Sequence, residues 1–177
     1  MSLSRLLLCL LILYSVERIV SLVEFTNIQC TSLGEDFADF EYCVLKSVNR
    51  SFKYISLKVK LFKLPITKIK VNFALLKRYS GYKPFLYNIT VDACKVIKNP
   101  KYNPVMDFFY SCFKDFSNMN HTCPFDHDII LEKLPIAYVN TKFTAVLPFP
   151  VGDYLFQTSW IAYDVNRANV NVYFTLS

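Results

Sequence analysis

Several runs of this sequence alternate apolar and polar residues with a period of two, and that alternation constrains the chain more than any other feature. In YISLKVKLF (54–62), Ile55, Leu57, Val59 and Leu61 share one parity, against Ser56, Lys58 and Lys60. In TKIKVNF (67–73), Ile69, Val71 and Phe73 oppose Lys68, Lys70 and Asn72. In KPFLYNITVDACKVI (83–97), Phe85, Tyr87, Ile89 and Val91 stand opposite Asn88. A helix would scatter such residues around its circumference, whereas a strand gathers them on one face. DYLFQTSWIAY (153–163) is less regular, with Tyr154, Phe156 and Trp160 on one parity and Leu155, Ile161 and Tyr163 on the other. NVNVYFTL (169–176) closes the chain with Val170, Val172 and Phe174 inward. Leu64-Pro65, Ser80-Gly81, LPFPVGD (147–153) and DVNRAN (164–169) punctuate these runs. Half-buried strands at such intervals predict an all-β chain folded as an antiparallel β-sandwich.

One segment breaks the pattern. In NPVMDFFYSCFKDF (103–116), Asn103 can cap a helix, Pro104 suits its first position and Asp107 lies in its first turn. Val105, Phe109, Cys112, Phe113 and Phe116 then recur at helical spacing, which predicts one short helix inserted between residues 103 and 117. No repeat, low-complexity tract or linker interrupts the rest, so residues 24–177 read as a single β-sandwich domain.

The first residues read differently. Arg5 precedes LLLCLLILY (6–14), and Ser15, Glu17 and Arg18 follow at once. That run is too short for a transmembrane helix, which needs about 20 apolar residues. It fits a secretory signal peptide over residues 1–23, with Ser15, Ser21 and the Val23–Glu24 neighbourhood as cleavage positions. The expected product is a secreted, extracellular protein that does not span a membrane. Sequons at Asn49, Asn88 and Asn120 agree with that route as N-glycosylation sites.

Removing the signal takes Cys9 with it and leaves five cysteines, Cys30, Cys43, Cys94, Cys112 and Cys123. An odd number in an oxidising compartment predicts two disulfides and one free thiol. Four cysteines allow three connectivities, and the expectation is Cys30–Cys43 with Cys94–Cys123, each closing a local loop. Cys112 falls on the apolar face of the expected helix, where a free thiol behaves as a small hydrophobe. A disulfide between two chains is the other use of an odd cysteine.

The formal charge is +6 for the whole chain and +5 for residues 24–177, with the lysines spread along strands. A nucleic-acid binder would cluster that charge, so nucleic acid is not an expected partner. Lys58, Lys60, Lys68 and Lys70 could form a basic face toward anionic headgroups, but alternating lysines more simply mark the wet side of a sheet. NHTCPFDHD (120–128) gathers His121, Cys123, Asp126, His127 and Asp128, but in no spacing of a zinc site. There is no G-x-S-x-G elbow, the three glycines are scattered, and Glu35/Asp36 are adjacent loop acids. The expectation is a protein without catalytic residues, metal or cofactor.

VEFTNIQC (23–30), FEYCVLKSVNRSFKYIS (40–56), KPFLYNITVDACKVIKNP (83–100), NHTCPFD (120–126) and PVGDYLF (150–156) occur in that order. Together they resemble a large insect family of small secreted proteins of uncharacterised function, related to the chemosensory CheB proteins. More distantly they resemble lipid-recognition sandwiches typified by the ganglioside-activator protein. The resemblance spans the expected mature chain. It implies an immunoglobulin-like β-sandwich of lipid-recognition type that carries a hydrophobic ligand between its sheets. Cys30, Cys43, Cys94 and Cys123 lie within these motifs and Cys112 outside them.

An apolar share of 53%, with 16% aromatic residues, must be buried in a core, a cavity or an interface. The first expectation is therefore a non-enzymatic binder or carrier of a lipid or hydrocarbon, in a chemosensory or reproductive setting. Phe73, Tyr87, Ile89, Phe109, Phe113, Phe156 and Trp160 are its candidate lining, and the helix bearing Phe109, Phe113 and Phe116 a candidate lid. The alternative is a secreted glycoprotein that meets a cell-surface receptor through exposed tyrosines such as Tyr79, Tyr82 and Tyr102.

Overall fold

A computed structural model describes residues 22–49, 52–143 and 149–177; all but the last two residues of the expected signal peptide lie outside them. Eight strands are present among the described residues: β1 (Val23–Ser32), β2 (Ala38–Ser47), β3 (Lys53–Leu61), β4 (Ile69–Tyr79), β5 (Gly81–Asp92), β6 (Ile129–Pro135), β7 (Gly152–Ala162) and β8 (Val165–Leu176). They form two antiparallel sheets, one of five strands in the order β1-β8-β7-β4-β5 and one of three in the order β2-β3-β6. The expected antiparallel β-sandwich is the fold of the described residues.

The alternating runs behave as their parity dictates. Val71 and Phe73 of β4, Val91 of β5, Tyr154 of β7 and Val170 and Phe174 of β8 are all buried in one core, while Asn72, Asn88 and Thr90 form a hydrogen-bonded cluster on the outer face. Ser56 departs from the pattern. It is only 4% exposed because β3 and β6 shift register between Ile55 and Leu57, and its hydroxyl accepts from the Lys133 amide at 2.8 Å.

The outward lysines are paired rather than free. Lys58 and Lys60 reach Glu41 at 2.8 and 3.2 Å, and Lys68 and Lys70 both bond to Asp164, the latter at 2.7 Å. The two lysines hold the Asp164 carboxyl down at about 2. Each pair thus brackets one acid across a solvated strand surface, which is a wet sheet face and not an open basic patch.

The connection between β5 and β6 holds more helix than the sequence suggests. It contains α1 (Ala93–Lys98), a 3-10 turn (Pro100–Tyr102), α2 (Pro104–Ser111) and a second 3-10 turn (Lys114–Phe116). Asn103 caps α2 as expected, accepting from the Met106 amide at 2.9 Å, with Pro104 in the first turn. The helix stops at Ser111, so Phe116 belongs to the following 3-10 turn. A third helix, α3 (Ile136–Phe143), follows β6. Its Asn140 binds both backbone groups of Val23, accepting from the amide at 2.6 Å and donating to the carbonyl at 3.0 Å. That pair of bonds fixes α3 against the start of β1.

Two disulfides occur, Cys30–Cys43 and Cys94–Cys123. Cys30–Cys43 joins β1 to β2, the edge strand of one sheet to the edge strand of the other. Cys94–Cys123 ties the start of α1 to the loop before β6. Opening the first bond should release the sandwich along that edge. A Cys30→Ala/Cys43→Ala double variant should lose about 3 kcal/mol in urea unfolding, the loop-entropy value for such a short loop. A loss under about 1 kcal/mol would mean that packing alone holds that edge.

Candidate functional site

The two sheets differ in width, and what lies between them follows from that. The sheets are pinned together at β1 and β2, α2 enters between them against β4 and β7, and α3 packs against the start of β1. Phe109 of α2 is the centre of the wedge. Its ring stacks on Phe156 at 4.8 Å and meets Phe73 edge-on at 5.1 Å, with Tyr87 at 6.3 Å and Phe143 of α3 at 6.3 Å. The helix expected as a lid is therefore a built-in part of the core on the β4–β5 side.

The wedge stops short of the pinned edge. Between Phe109 and the β1–β2 seam lies a cavity of about 230 Å³. Leu57 and Leu131 line it from the three-stranded sheet, Phe156 and Val170 from the five-stranded sheet, and Met106 and Phe113 from the insert. Its polar groups are nearly all consumed within the protein. The Thr158 hydroxyl donates to the Val170 carbonyl and accepts from the Trp160 indole, each at 3.1 Å. The Tyr110 hydroxyl donates to the Met119 carbonyl at 2.6 Å, and the Cys112 thiol to the Phe108 carbonyl at 3.4 Å.

Of the seven residues named as candidate ligand lining, Phe109, Phe113, Phe156 and Trp160 lie on the wall of this cavity. Phe73, Tyr87 and Ile89 sit behind α2 in or against the core rather than on the cavity wall. On the inner face of the KPFLYNITV run, Tyr87 meets Phe109 of α2 and Phe85 packs against Phe149 and Tyr154, and none of the run's residues lines the cavity. All three sequon asparagines, Asn49, Asn88 and Asn120, are exposed. Tyr79 and Tyr102 are exposed but flank opposite ends of β5, while Tyr82 packs edge-on against Tyr173 at 5.7 Å, so these tyrosines do not make one contact face.

The histidine cluster folds back on itself. His121 and His127 face each other with their Nε2 atoms 2.7 Å apart, and both rings pack near Phe125, which lines the cavity. Among the described residues, no group of three or more histidines, cysteines or acids is placed to hold a metal ion. Likewise, no helix there is long and apolar enough to cross a membrane.

Sequence reasoning missed one cavity residue of a different kind, Arg167. DVNRAN reads as a turn, yet β7 and β8 are joined by Tyr163-Asp164 alone, both at positive φ (52° and 63°), and β8 begins at Val165. Register slips between Trp160 and Ile161, which pair with Ala168 and Asn166, so Arg167 is the unpaired residue of a β-bulge. Its guanidinium carbon lies 4.4 Å over the Phe37 ring, and both residues line the cavity.

Three turns converge around Phe37 and Arg167. The Leu33 amide donates to the Arg167 carbonyl at 2.8 Å, and the Phe62 amide to the Phe37 carbonyl at 2.9 Å. Tyr163 sets its ring edge-on to Phe37 at 6.5 Å and donates its hydroxyl to the Pro65 carbonyl at 3.2 Å. Leu33, Phe62, Leu64, Tyr163 and Val165 from these turns are all exposed. This end of the sandwich therefore carries exposed apolar side chains around the buried Phe37 and Arg167, with the Lys63–Asp36 and Lys68–Asp164 pairs in the same turns.

The class that this geometry defines is an antiparallel β-sandwich enclosing an apolar cavity between unequal sheets. Residues 71–156, from β4 through the helical insert into β7, match a family described as a protein of unknown function (DUF1091). Among solved structures, the chain is similar to a Niemann-Pick type C2 protein from Japanese carpenter ant, at 9% identity over 86% of this chain and 90% of that one. The TM-score of that superposition is 0.32, which leaves the fold to be argued from the strand pairings themselves. No curated protein matches the sequence.

Cys112 is the remaining free thiol among the described residues; it is 6% exposed, and burial pushes its pKa up to about 12. A thiol that is neither exposed nor ionised is a poor nucleophile. In the folded protein it should resist a charged aromatic disulfide reagent at pH 8, and it should react with one equivalent once the chain is unfolded in denaturant. Rapid labelling of the native protein would contradict this placement.

Proposed function

We propose that this protein is a secreted, non-enzymatic binder or carrier of a hydrophobic small molecule with an extended apolar tail, a lipid or a hydrocarbon. The observation that carries the reading is the cavity between the sheets. Creating unfilled apolar volume costs about 24 cal/mol per Å³ in protein cores. At about 230 Å³ this amounts to about 5 kcal/mol. That is a large share of the roughly 5–15 kcal/mol by which domains are stable. Apolar cavities smaller than this stay dry and accept apolar guests. A guest offsets the cost by restoring the missing contacts.

The volume sets the scale of the guest. At ~30 Å³ for each group the size of a water molecule, the space holds roughly eight such groups, the length of a medium acyl chain. Burying eight methylenes contributes about 6 kcal/mol before the costs of immobilisation. Binding would thus be driven by burial, with the internally satisfied Thr158, Tyr110 and Cys112 adding no polar penalty. Secretion is supported by the signal-like start of the sequence, the two disulfides and the exposure of Asn49, Asn88 and Asn120. A chemosensory or reproductive role, and delivery of the ligand to a cell-surface receptor, would follow from carriage of a lipid outside the cell.

The test uses a fluorescent naphthylamine probe with the wild type and Val170→Phe, because Val170 lines the cavity from the middle of β8. Filling a dry cavity should cost little stability, whereas the same change in a close-packed core costs about 1–3 kcal/mol. The expected outcome is probe binding by the wild type, loss of it in the variant, and a urea midpoint that is unchanged or raised. No probe binding by the wild type, together with a destabilised variant, would overturn the carrier reading.

A further inference from the structure

We propose that Arg167 is the head-group anchor of the cavity, and that the ligand is accordingly a medium-chain amphiphile ending in a carboxylate. This rests on the carrier reading and deepens it. Arg167 is the one ionised side chain that lines the cavity among the described residues. It is also the exception to the rule that the cavity's polar atoms are satisfied. Its Nε is buried with no hydrogen-bond partner, while Thr158, Tyr110, Cys112 and Trp160 all have theirs. A buried donor left unmade is costly, and the cost is recovered when a ligand supplies an acceptor.

The groups around the guanidinium leave it available. Asp36 is the acid that faces it, and Arg167 helps to lower the Asp36 pKa, but the nearest cation to that carboxylate is Lys63 at 2.6 Å. No ion pair joins Arg167 to any acid among the described residues. On its other side Arg167 is held by the Phe37 ring, a contact that fixes the plane of the fork without using its N–H groups. A guanidinium fork is matched in shape to a carboxylate, and the pair is charge-assisted.

The location suits an amphiphile. The bulge sets Arg167 at the end of the cavity ringed by exposed Leu33, Phe62, Leu64, Tyr163 and Val165, so the tail would lie inward toward Phe109 and the head at the rim. The other charges in these turns are paired with one another, Lys63 with Asp36 and Lys68 and Lys70 with Asp164, so a tail can enter over the exposed apolar side chains. Arg167 then stops the head at the surface, where part of its hydration is kept. A neutral hydrocarbon would fill the same volume and leave the Arg167 donor unmade.

The experiment compares decanoate with methyl decanoate, both below their aggregation limits, by displacement of the naphthylamine probe. The wild type should bind decanoate at least tenfold more tightly, as expected for a hydrogen bond to a charged group in a partly buried site. Arg167→Gln should remove that preference while its affinity for the methyl ester stays within about twofold, and Arg167→Lys should keep part of it. Should Arg167→Gln fail to fold, the wild type can be titrated instead. Its preference for decanoate should vanish as the ligand's own carboxyl is protonated, with the Asp36 carboxyl held below the usual range by Lys63. Equal affinity for acid and ester in the wild type, or an unchanged preference in Arg167→Gln, would overturn the anchor and leave the carrier standing. Failure of both ligands and the probe would overturn the carrier and the anchor together.

Discussion

Two sheets of five and three strands cannot cover one another, and the rest of the molecule follows from how that mismatch is resolved. The Cys30–Cys43 bond closes the sandwich where β1 and β2 meet. The uncovered area of the larger sheet is then exposed on the β4–β5 side, where strand parity has already turned Phe73, Tyr87 and Ile89 inward. Apolar surface of that extent must be covered. The chain covers it with the helical insert, and the stack of Phe109 on Phe156 is the contact that seats it. Because the wedge enters from one side and the pin is on the other, neither fills the middle. The cavity is what remains between them.

This arrangement divides the interior into regions with different tasks. Near α2 and α3 the aromatic rings of Phe73, Phe109, Phe143, Phe156 and Phe174 interlock, and all but Phe73 also form part of the cavity wall. Near the converging turns, the smaller cluster around Phe37, Ile66, Met119 and Phe125 is tied by an isolated bridge between Ile66 and Phe125 and by the Cys94–Cys123 bond. Rigid contacts at both ends hold the sheets apart in between.

Much of the fold was legible wherever strand alternation was unbroken. β3, β4, β5, β7 and β8 could be read because their inward residues keep one parity over most of their length. β1, β2 and β6 show no such steady parity, because a shift of register interrupts their inward positions. In β1 the inward residues are Val23 and Phe25 and then Ile28, across a slip between Phe25 and Asn27. In β2 the slip lies between Phe40 and Tyr42, and in β6 Leu131 and Leu134 are both buried although three residues apart, with Lys133 at a φ of 49°. α3 was hidden for another reason: Ile136, Tyr138, Val139 and Thr141 are residue types that favour strands, and tertiary contacts to β1 through Asn140 override that preference. The same bulge logic hid Arg167, since an arginine within DVNRAN carries the signature of a solvated turn. The inward aromatics could be read from sequence, but which of them face a space and which face a helix depends on where α2 lands. No local pattern encodes that.

The central claim is that the space between the sheets is occupied by an apolar guest in the working protein. Native mass spectrometry of protein secreted from eukaryotic cells, followed by solvent extraction of the bound fraction, tests it most directly. The account predicts a population heavier than the chain itself by one acyl-sized molecule, released on extraction at close to one per chain. A single apo mass that stays apo after incubation with a mixed lipid extract would contradict it, and would mean that the space is a packing defect the fold tolerates.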